Sequence, residues 1–268
     1  MRGVLARPLR PEGVIAMLEE PRRLATGRPG AGPIGSIALD ARQASYVFQS
    51  KHALRSGSVV GYQTLLRLPG VDTIDRWFAG LDHSSAFAMT IAAARAAFSL
   101  SGRLGHGRET SPVAFHCPAE IFSDARFLAE LTRISAAARE NGHGGRVAIE
   151  LTAPTDAATL SDILSIAFRY VLAGFELHMN DFAMSAFSLE QVVRLPINEA
   201  KIDRHFFETL AKDEPQLLAE IISLFRLRGV RSTVARIEAP EEFEAARQAG
   251  ADSGQGYFWS RPMTDIRL

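Results

Sequence analysis

Cysteine is nearly absent from this chain of 268 residues, because Cys117 is its only one. A single cysteine excludes an internal disulfide framework and fits a reducing compartment. The chain also lacks any apolar run near the roughly 20 residues that a membrane-spanning helix needs. Arg7, Pro8, Arg10 and Pro11 interrupt the stretch in which a signal peptide would be continuously apolar. We therefore expect a cytoplasmic protein that does not contact a membrane.

An excess of charge of either sign is absent too. Lysine and arginine together number 30, aspartate and glutamate number 30, and the formal net charge is zero. A protein that binds nucleic-acid polymers or anionic membrane surfaces in general needs a basic excess. The composition therefore argues against both classes of partner. The length suits one barrel or two small domains with a large buried core.

Two parts of the chain differ in composition. Residues 12–20 can form a short amphipathic helix that Pro21 ends, and residues 26–36 are rich in glycine and proline. A segment of that second kind cannot bury a core. We predict an N-terminal helical arm and linker in residues 1–40, followed by one folded domain in residues 41–268. The arm is interpreted either as a partly ordered tail or as a segment that docks on a partner or second protomer; the chain could also be a piece of a longer protein.

From residue 44 onward, strand-like segments alternate with segments of helical periodicity. This alternation predicts a parallel sheet with right-handed crossovers, and a strand count near eight favours closure into a barrel. The turn-forming residues 55–58 predict a hairpin between the first two strands, and hence one antiparallel strand. The predicted helices cover residues 85–100, 124–140, 214–228 and stretches that begin near residues 156 and 241.

The stretch 175–207 places polar side chains where strands end. Asn180 and Asp181 close one strand-like run, and Lys201 and Asp203 lie in the next. Acids and lysines at the carboxyl ends of successive strands are how an α/β barrel builds an active site.

Several short segments occur in an order that is typical of one family. They are VVGYQTLLRL with Gln63 and Arg67, VAFHCP with His116, IELTAP with Glu150, the pair Asn180-Asp181, the triplet Lys201-Ile202-Asp203, TVARIEAPEEF with Ala235 and Glu238, and SGQGYFWSRPM with Gln255 and Arg261. Together they resemble the EAL family of cyclic di-GMP phosphodiesterases over residues 46–263. TVARIE resembles that family's A-E-G-V-E stretch. The resemblance implies a TIM-like (β/α)8 barrel.

The same comparison shows where acidic residues are replaced. Gln63, Asn180 and Ala235 stand at positions where the family carries acids. By resemblance, hydrolysis uses two divalent metals that activate a water, and hard cations such as Mg²⁺ require carboxylate oxygens. We therefore predict that the domain is not an enzyme, that it has no catalytic residues and that it binds no Mg²⁺ or Mn²⁺. The remnants of the expected site are Glu150, Asp181, Lys201 and Glu238.

Two of the retained groups have alternative interpretations. Lys201 is expected to form an ion pair with Asp181 or Glu150 rather than to act in catalysis. His116, with Glu150 and Asp181, could hold a single metal ion, but a packed and hydrogen-bonded histidine is favoured. Cys117 lies on the opposite face of its strand from His116 and is predicted to be core.

Binding of cyclic di-GMP is a separate prediction from its hydrolysis. The candidate ligand-binding residues are Arg67, Gln255 and Asp203, of which Arg67 is the residue type that contacts phosphate in a bidentate manner. Against this prediction, the family's F-I-P-x-A-E segment is not recognisable in residues 68–82. Part of the expected wall of the pocket is therefore in doubt.

The apolar loop 183–187 suggests a surface for another protein. Met184 and Phe187 could be exposed and bind a partner, or they could fold inward and fill the pocket. By resemblance, the helix that opens at Ser188 could form a homodimer. We predict a catalytically inactive regulator that acts on an unidentified protein in control of motility or biofilm formation. The alternative is a metal-independent cyclic di-GMP receptor, and a residual phosphodiesterase is the third interpretation.

Overall fold

The computed structural model describes residues 44–71, 73–105, 111–142, 144–152, 157–182 and 194–266. The predicted arm in residues 1–40 and the loop that holds Met184 and Phe187 lie outside these residues, as does the predicted helix start at Ser188. Those predictions therefore stay predictions.

Eight strands form a closed barrel in which neighbours in the chain are neighbours in space. β1 is antiparallel to both β2 and β8, whereas the remaining neighbouring pairs are parallel. The predicted TIM-like barrel with one antiparallel strand is confirmed. The strands are β1 Ser45–Ala53, β2 Val59–Arg67, β3 Val113–Pro118, β4 Val147–Thr152, β5 Glu176–Phe182, β6 Glu199–Ile202, β7 Arg231–Ala235 and β8 Ser253–Gln255.

Helices connect the strands and cover the outside of the barrel. They are α1 Ile74–Ala79, α2 His83–Leu104, α3 Ala119–Phe122, α4 Ala125–Glu140, α5 Ala157–Leu172, α6 Arg204–Asp213, α7 Pro215–Leu227 and α8 Pro240–Gln248. The core lies between the strands and these helices. In α2, Ile91, Ala94 and Phe98 are buried on one face, as their spacing predicts.

Alternation along each strand separates the core from the barrel interior. In β3, Phe115 and Cys117 are fully buried in the core, and His116 between them points into the barrel, where it lines a cavity. The prediction that Cys117 is a core residue is confirmed. The same alternation in the parallel strands brings polar side chains into the interior.

Three helices were not predicted from the sequence: α1, α3 and α6. α6 begins after Asp203, whose side chain accepts hydrogen bonds from the backbone N–H groups of His205 at 2.9 Å and Phe206 at 3.2 Å. An aspartate just before a helical segment is a strong start signal, so this helix could have been found. Within the described ranges, no helix has the length and apolar character that crossing a membrane requires.

Candidate ligand-binding site at the carboxyl ends of the strands

A cavity of about 1050 Å³ opens at the carboxyl ends of the parallel strands. Each of the eight strands contributes at least one residue to its lining. The residues of the lining that bear on function are Gln49, Gln63, Arg67, Asp75, Phe78, His116, Thr152, Asn180, Asp181, Lys201, Ala235, Arg236, Glu238, Gln255 and Tyr257. The predicted strand-end residues Asn180, Asp181 and Lys201 are therefore brought together.

Side-chain amides dominate the floor of the cavity. Gln63 Nε2 donates to Glu150 Oε2 at 2.8 Å and lies 2.6 Å from His116 Nε2. Gln255 Nε2 donates to Gln63 Oε1 at 2.7 Å and to Gln49 Oε1 at 3.1 Å. Burial lowers the pKa of His116, so that its neutral ring can accept the amide proton. These contacts fix the amides in one arrangement.

A buried ion pair completes this arrangement. Lys201 Nζ contacts Glu150 Oε1, and both side chains are almost inaccessible to solvent. Burial alone would raise the pKa of Glu150, but the charges of Lys201 and Lys51 outweigh it and hold the pKa at about 2. Burial also lowers the pKa of Lys201. The predicted ion pair of Lys201 is confirmed with Glu150 as its partner.

We call these six residues the upper network: Gln49, Gln63, His116, Glu150, Lys201 and Gln255. Glu150 is fully buried and does not itself line the cavity. Lys201 therefore presents the cationic side of the pair to a ligand, while the carboxylate lies beneath it.

Asp181 occupies a different environment from Glu150. Its Oδ2 accepts a hydrogen bond from Asn180 Nδ2 at 2.9 Å, and burial raises its pKa. Its backbone has a φ of 49°, an uncommon conformation for a residue other than glycine. Asn180 therefore binds the carboxylate that follows it.

Two other candidate residues line the cavity on its more exposed side. Arg67 Nη1 donates to the carbonyl oxygen of Leu66 at 2.9 Å, and Glu238 lies 3.3 Å from Arg204 Nη1. Both retain contact with the cavity. Asp203 does not line it, because its carboxylate caps α6, and its assignment as a ligand-binding residue stays a prediction.

Sequence reasoning missed the wall that α1 provides. Ile74, Asp75 and Phe78 line the cavity, and no residue of this helix is buried in the core. The spacing of Ile74, Trp77 and Phe78 is that of one helix face and could have revealed the helix. The doubt about the pocket wall in residues 68–82 is thus answered within that stretch, because α1 lines the cavity although its sequence does not match the family's F-I-P-x-A-E pattern. Arg236 was missed as well.

The acidic residues around the cavity are not gathered at one point among the described residues. In the part of the chain that the structure describes, no three His, Cys, Asp or Glu side chains form a group that could hold a metal ion. The single-metal set Glu150, Asp181 and His116 is therefore not brought together. Glu150 is bound by Lys201, and Ala235 has no donor atom.

Comparison with known protein families shows to which family the chain belongs. The model of the EAL domain matches residues 36–262. The chain belongs to the EAL domain family. A curated relative of this EAL domain is the cyclic di-GMP phosphodiesterase RocR of Pseudomonas aeruginosa, with 27% identity over 100 residues. That match covers 36% of this chain and 25% of RocR's own length.

Solved structures resemble the barrel over most of its length. The PaMucR phosphodiesterase in complex with c-di-GMP superposes with a TM-score of 0.71 and 24% identity, covering 84% of this chain and 94% of that one. The c-di-GMP-bound form of a standalone versatile EAL protein from Vibrio cholerae O395 gives a TM-score of 0.70 and 19% identity, with coverages of 85% and 94%. These likenesses establish the fold.

The comparisons contradict the prediction that the domain is not an enzyme. RocR and PaMucR, to which this EAL domain is similar, are cyclic di-GMP phosphodiesterases. The prediction rested on counting the replaced acids at Gln63, Asn180 and Ala235. Such a count ignores the other charged groups around the cavity and does not establish that activity is lost.

Proposed function

We propose that this EAL domain binds cyclic di-GMP in the cavity at the carboxyl ends of its strands and acts in cyclic di-GMP signalling. Cavities of roughly 300–1000 Å³ hold small ligands in proteins, and this one has about 1050 Å³. Similar barrels have this dinucleotide bound in PaMucR and in the Vibrio cholerae protein.

The observation that carries the proposal is the ion pair between Lys201, at the floor of the cavity, and the buried Glu150. Cyclic di-GMP has two phosphodiester groups, each with one negative charge. An uncompensated carboxylate about 4 Å from a phosphate would cost roughly 4 kcal/mol at an effective dielectric constant of 20. Because Lys201 compensates Glu150, the buried floor offers a phosphate a cation instead.

The ion pair also bears on metal dependence. Lys201 already supplies the positive charge opposite Glu150, so a phosphate oxygen can be stabilised there without a divalent cation. Arg67 offers a second phosphate donor at the wall of the cavity. We therefore propose that binding of cyclic di-GMP by this domain requires no Mg²⁺ or Mn²⁺.

Hydrolysis of cyclic di-GMP is the second candidate function. Its support is the similarity to phosphodiesterases such as RocR. A role in motility or biofilm formation, exerted through a partner protein or a homodimer, stays a prediction, because Met184, Phe187 and the helix expected at Ser188 lie outside the described residues.

Titration calorimetry with cyclic di-GMP tests binding, and chromatography of the incubated nucleotide tests hydrolysis. We expect wild-type protein to bind and Arg67→Ala to bind about tenfold more weakly or worse, because a charge-assisted contact to phosphate is lost. Arg228→Ala is the matched control, because Arg228 is exposed beyond the end of α7 and does not line the cavity. Absence of binding heat with wild-type protein would contradict the proposal, whereas a linear dinucleotide product would establish the second candidate.

A further inference from the structure

Arg236 follows β7 directly and has an unusual backbone conformation. Its φ is 59°, and in the described ranges it shares a positive φ with only one other residue that is not glycine, Asp181. Both residues line the cavity. A side chain at positive φ costs free energy and persists only where the surroundings impose it, which happens most often at functional sites.

The neighbouring residue imposes this conformation. Ile237 N donates to the carbonyl oxygen of Gln255 at 3.0 Å, and Ile237 O accepts from Phe258 N at 3.0 Å. Gly256 packs so closely against the backbone of Ile237 that a Cβ at this glycine would overlap it. Because Ile237 is held from both sides, the chain turns sharply at Arg236 and the Arg236 side chain is directed to the cavity wall.

The guanidinium of Arg236 has no ion-pair or hydrogen-bond partner among the described residues. The other cations of the cavity are engaged, since Lys201 contacts Glu150 and Arg67 donates to Leu66. Arg236 is itself exposed, and an exposed arginine without a partner is common on protein surfaces. An arginine that lines a cavity, holds a strained backbone and has no partner is a candidate for contact with an anion.

Local charge supports the same interpretation. In the A-E-G-V-E stretch that this segment resembles, Ala235 and Arg236 stand where an acid and a glycine are expected. Over these two positions the formal charge is therefore +1 instead of −1, while Glu238 contributes one negative charge in both cases. Such a change disfavours a bound divalent cation and favours a phosphate at the same place.

We propose that Arg236 is a phosphate-binding residue of this cavity and contributes specifically to its affinity for the cyclic dinucleotide. The assignment rests on the proposed binding of cyclic di-GMP. The planar guanidinium can donate two parallel hydrogen bonds to one phosphate, which a lysine cannot. Arg67, Lys201 and Arg236 are the lysine and arginine side chains of a lining that also carries Asp75, Glu120, Asp181 and Glu238.

The test compares Arg236→Gly and Arg236→Lys with wild-type protein by calorimetry with cyclic di-GMP and by thermal unfolding. Glycine accepts a φ of 59° without strain, so Arg236→Gly should unfold at a higher temperature and yet bind about tenfold to a hundredfold more weakly. Arg236→Lys should bind with intermediate affinity because it keeps the charge. Arg228→Ala, an exposed arginine away from the cavity, should bind like wild-type protein.

Each other result counts against the assignment. If wild-type protein binds and Arg236→Gly binds equally well, the role of Arg236 is overturned while the proposed function stands. If Arg236→Gly loses affinity and also unfolds at a lower temperature, the arginine acts through the fold and the assignment fails. If wild-type protein does not bind, the proposed function itself is overturned and the assignment falls with it.

Discussion

The two ends of the barrel interior hold similar numbers of polar side chains but use them differently. At the carboxyl ends of the strands, the upper network joins neutral amides around one ion pair. At the amino ends, charged groups contact one another directly. We call this second group the lower cluster: Lys51, Glu176, His178, Glu199 and Arg231.

Contacts in the lower cluster leave little unsatisfied charge. Lys51 Nζ lies 2.5 Å from Glu199 Oε1, and Arg231 Nη2 lies 3.2 Å from Glu176 Oε2. His178 Nε2 lies 3.4 Å from Glu176 Oε2. Burial would raise the pKa of Glu199, but Lys51, His178 and Arg231 lower it overall. None of these five residues lines the cavity. The lower cluster therefore serves the stability of the barrel.

The difference shows how one barrel separates stability from binding. Barrels of this kind carry their sites at the carboxyl ends of the strands, and the opposite end serves stability. Here the upper network leaves Lys201 facing a cavity, whereas the lower cluster pairs its acids with bases. The comparison predicts that substitutions in the lower cluster change only the free energy of unfolding. Substitutions in the upper network should also change the affinity for cyclic di-GMP.

The largest expected effect is on stability at the lower end. Lys51→Met leaves Glu199 as a buried charge without its closest partner, which costs about 3–5 kcal/mol in unfolding by urea. The double variant Lys51→Met with Glu199→Leu should recover most of this loss, because no unpaired charge then remains. Affinity of the folded protein for cyclic di-GMP should not change. A single variant that loses less than about 1 kcal/mol would show that the pair is not important for stability.

Lowering the pH should reduce the stabilising contribution of buried carboxylates at both ends of the barrel. Glu150 and Glu176 each have a pKa of about 2, compared with an ordinary value of 4.5. Because these pKa values are lowered in the folded protein, the carboxylates stabilise it above pH 4.5, and this stabilisation is lost as the pH falls toward 2. A pKa lowered from 4.5 to about 2 corresponds to about 3 kcal/mol per carboxylate at most.

Unfolding by urea at a series of pH values measures this loss. Glu176→Gln should reduce the pH dependence between pH 4.5 and 2 without altering the binding of cyclic di-GMP at neutral pH. An unchanged pH dependence in this variant would mean that Glu176 has an ordinary pKa in the folded protein.

A smaller effect on stability, joined to an effect on binding, is expected at the upper end. Lys201→Met leaves Glu150 with the hydrogen bond from Gln63 at 2.8 Å. We expect a loss of about 2 kcal/mol in stability. Binding of cyclic di-GMP should weaken at least tenfold, since a bare carboxylate then lies under the phosphate.

The double variant Glu150→Gln with Lys201→Met is the control for Lys201→Met. It removes the unpaired negative charge of Glu150, so it should bind better than the single variant. If Lys201→Met binds cyclic di-GMP as wild-type protein does, the two ends of the barrel do not differ in the way described.

Strand order and the positions of strand ends could be predicted from the sequence because they depend on local periodicity. Asn180, Asp181 and Lys201 were placed correctly at the mouth of the barrel for this reason. The pairing of Lys51 with Glu199 could not be predicted, since the two residues are 148 positions apart and meet only when the barrel closes. Such contacts depend on the register of the strands in the closed barrel, which the local sequence pattern does not determine.

Residue type alone does not show the structural role of two residues near the cavity. Asp203 has the chemistry of a ligand-binding acid, but the helix that follows uses its carboxylate as a cap. Arg236 drew no attention, because a positive φ at an arginine has no signal in its own residue type. The hydrogen bonds of Ile237 and the packing of Gly256 against it account for that conformation.

Calorimetric titration of the wild-type protein with cyclic di-GMP, in excess EDTA and again in Mn²⁺, tests the central claim most directly. The claim is that Lys201, paired with the buried Glu150, gives phosphate a cation without the help of a metal. We predict binding in EDTA with an affinity within about threefold of that in Mn²⁺. Binding that occurs only in the presence of Mn²⁺ would contradict the account.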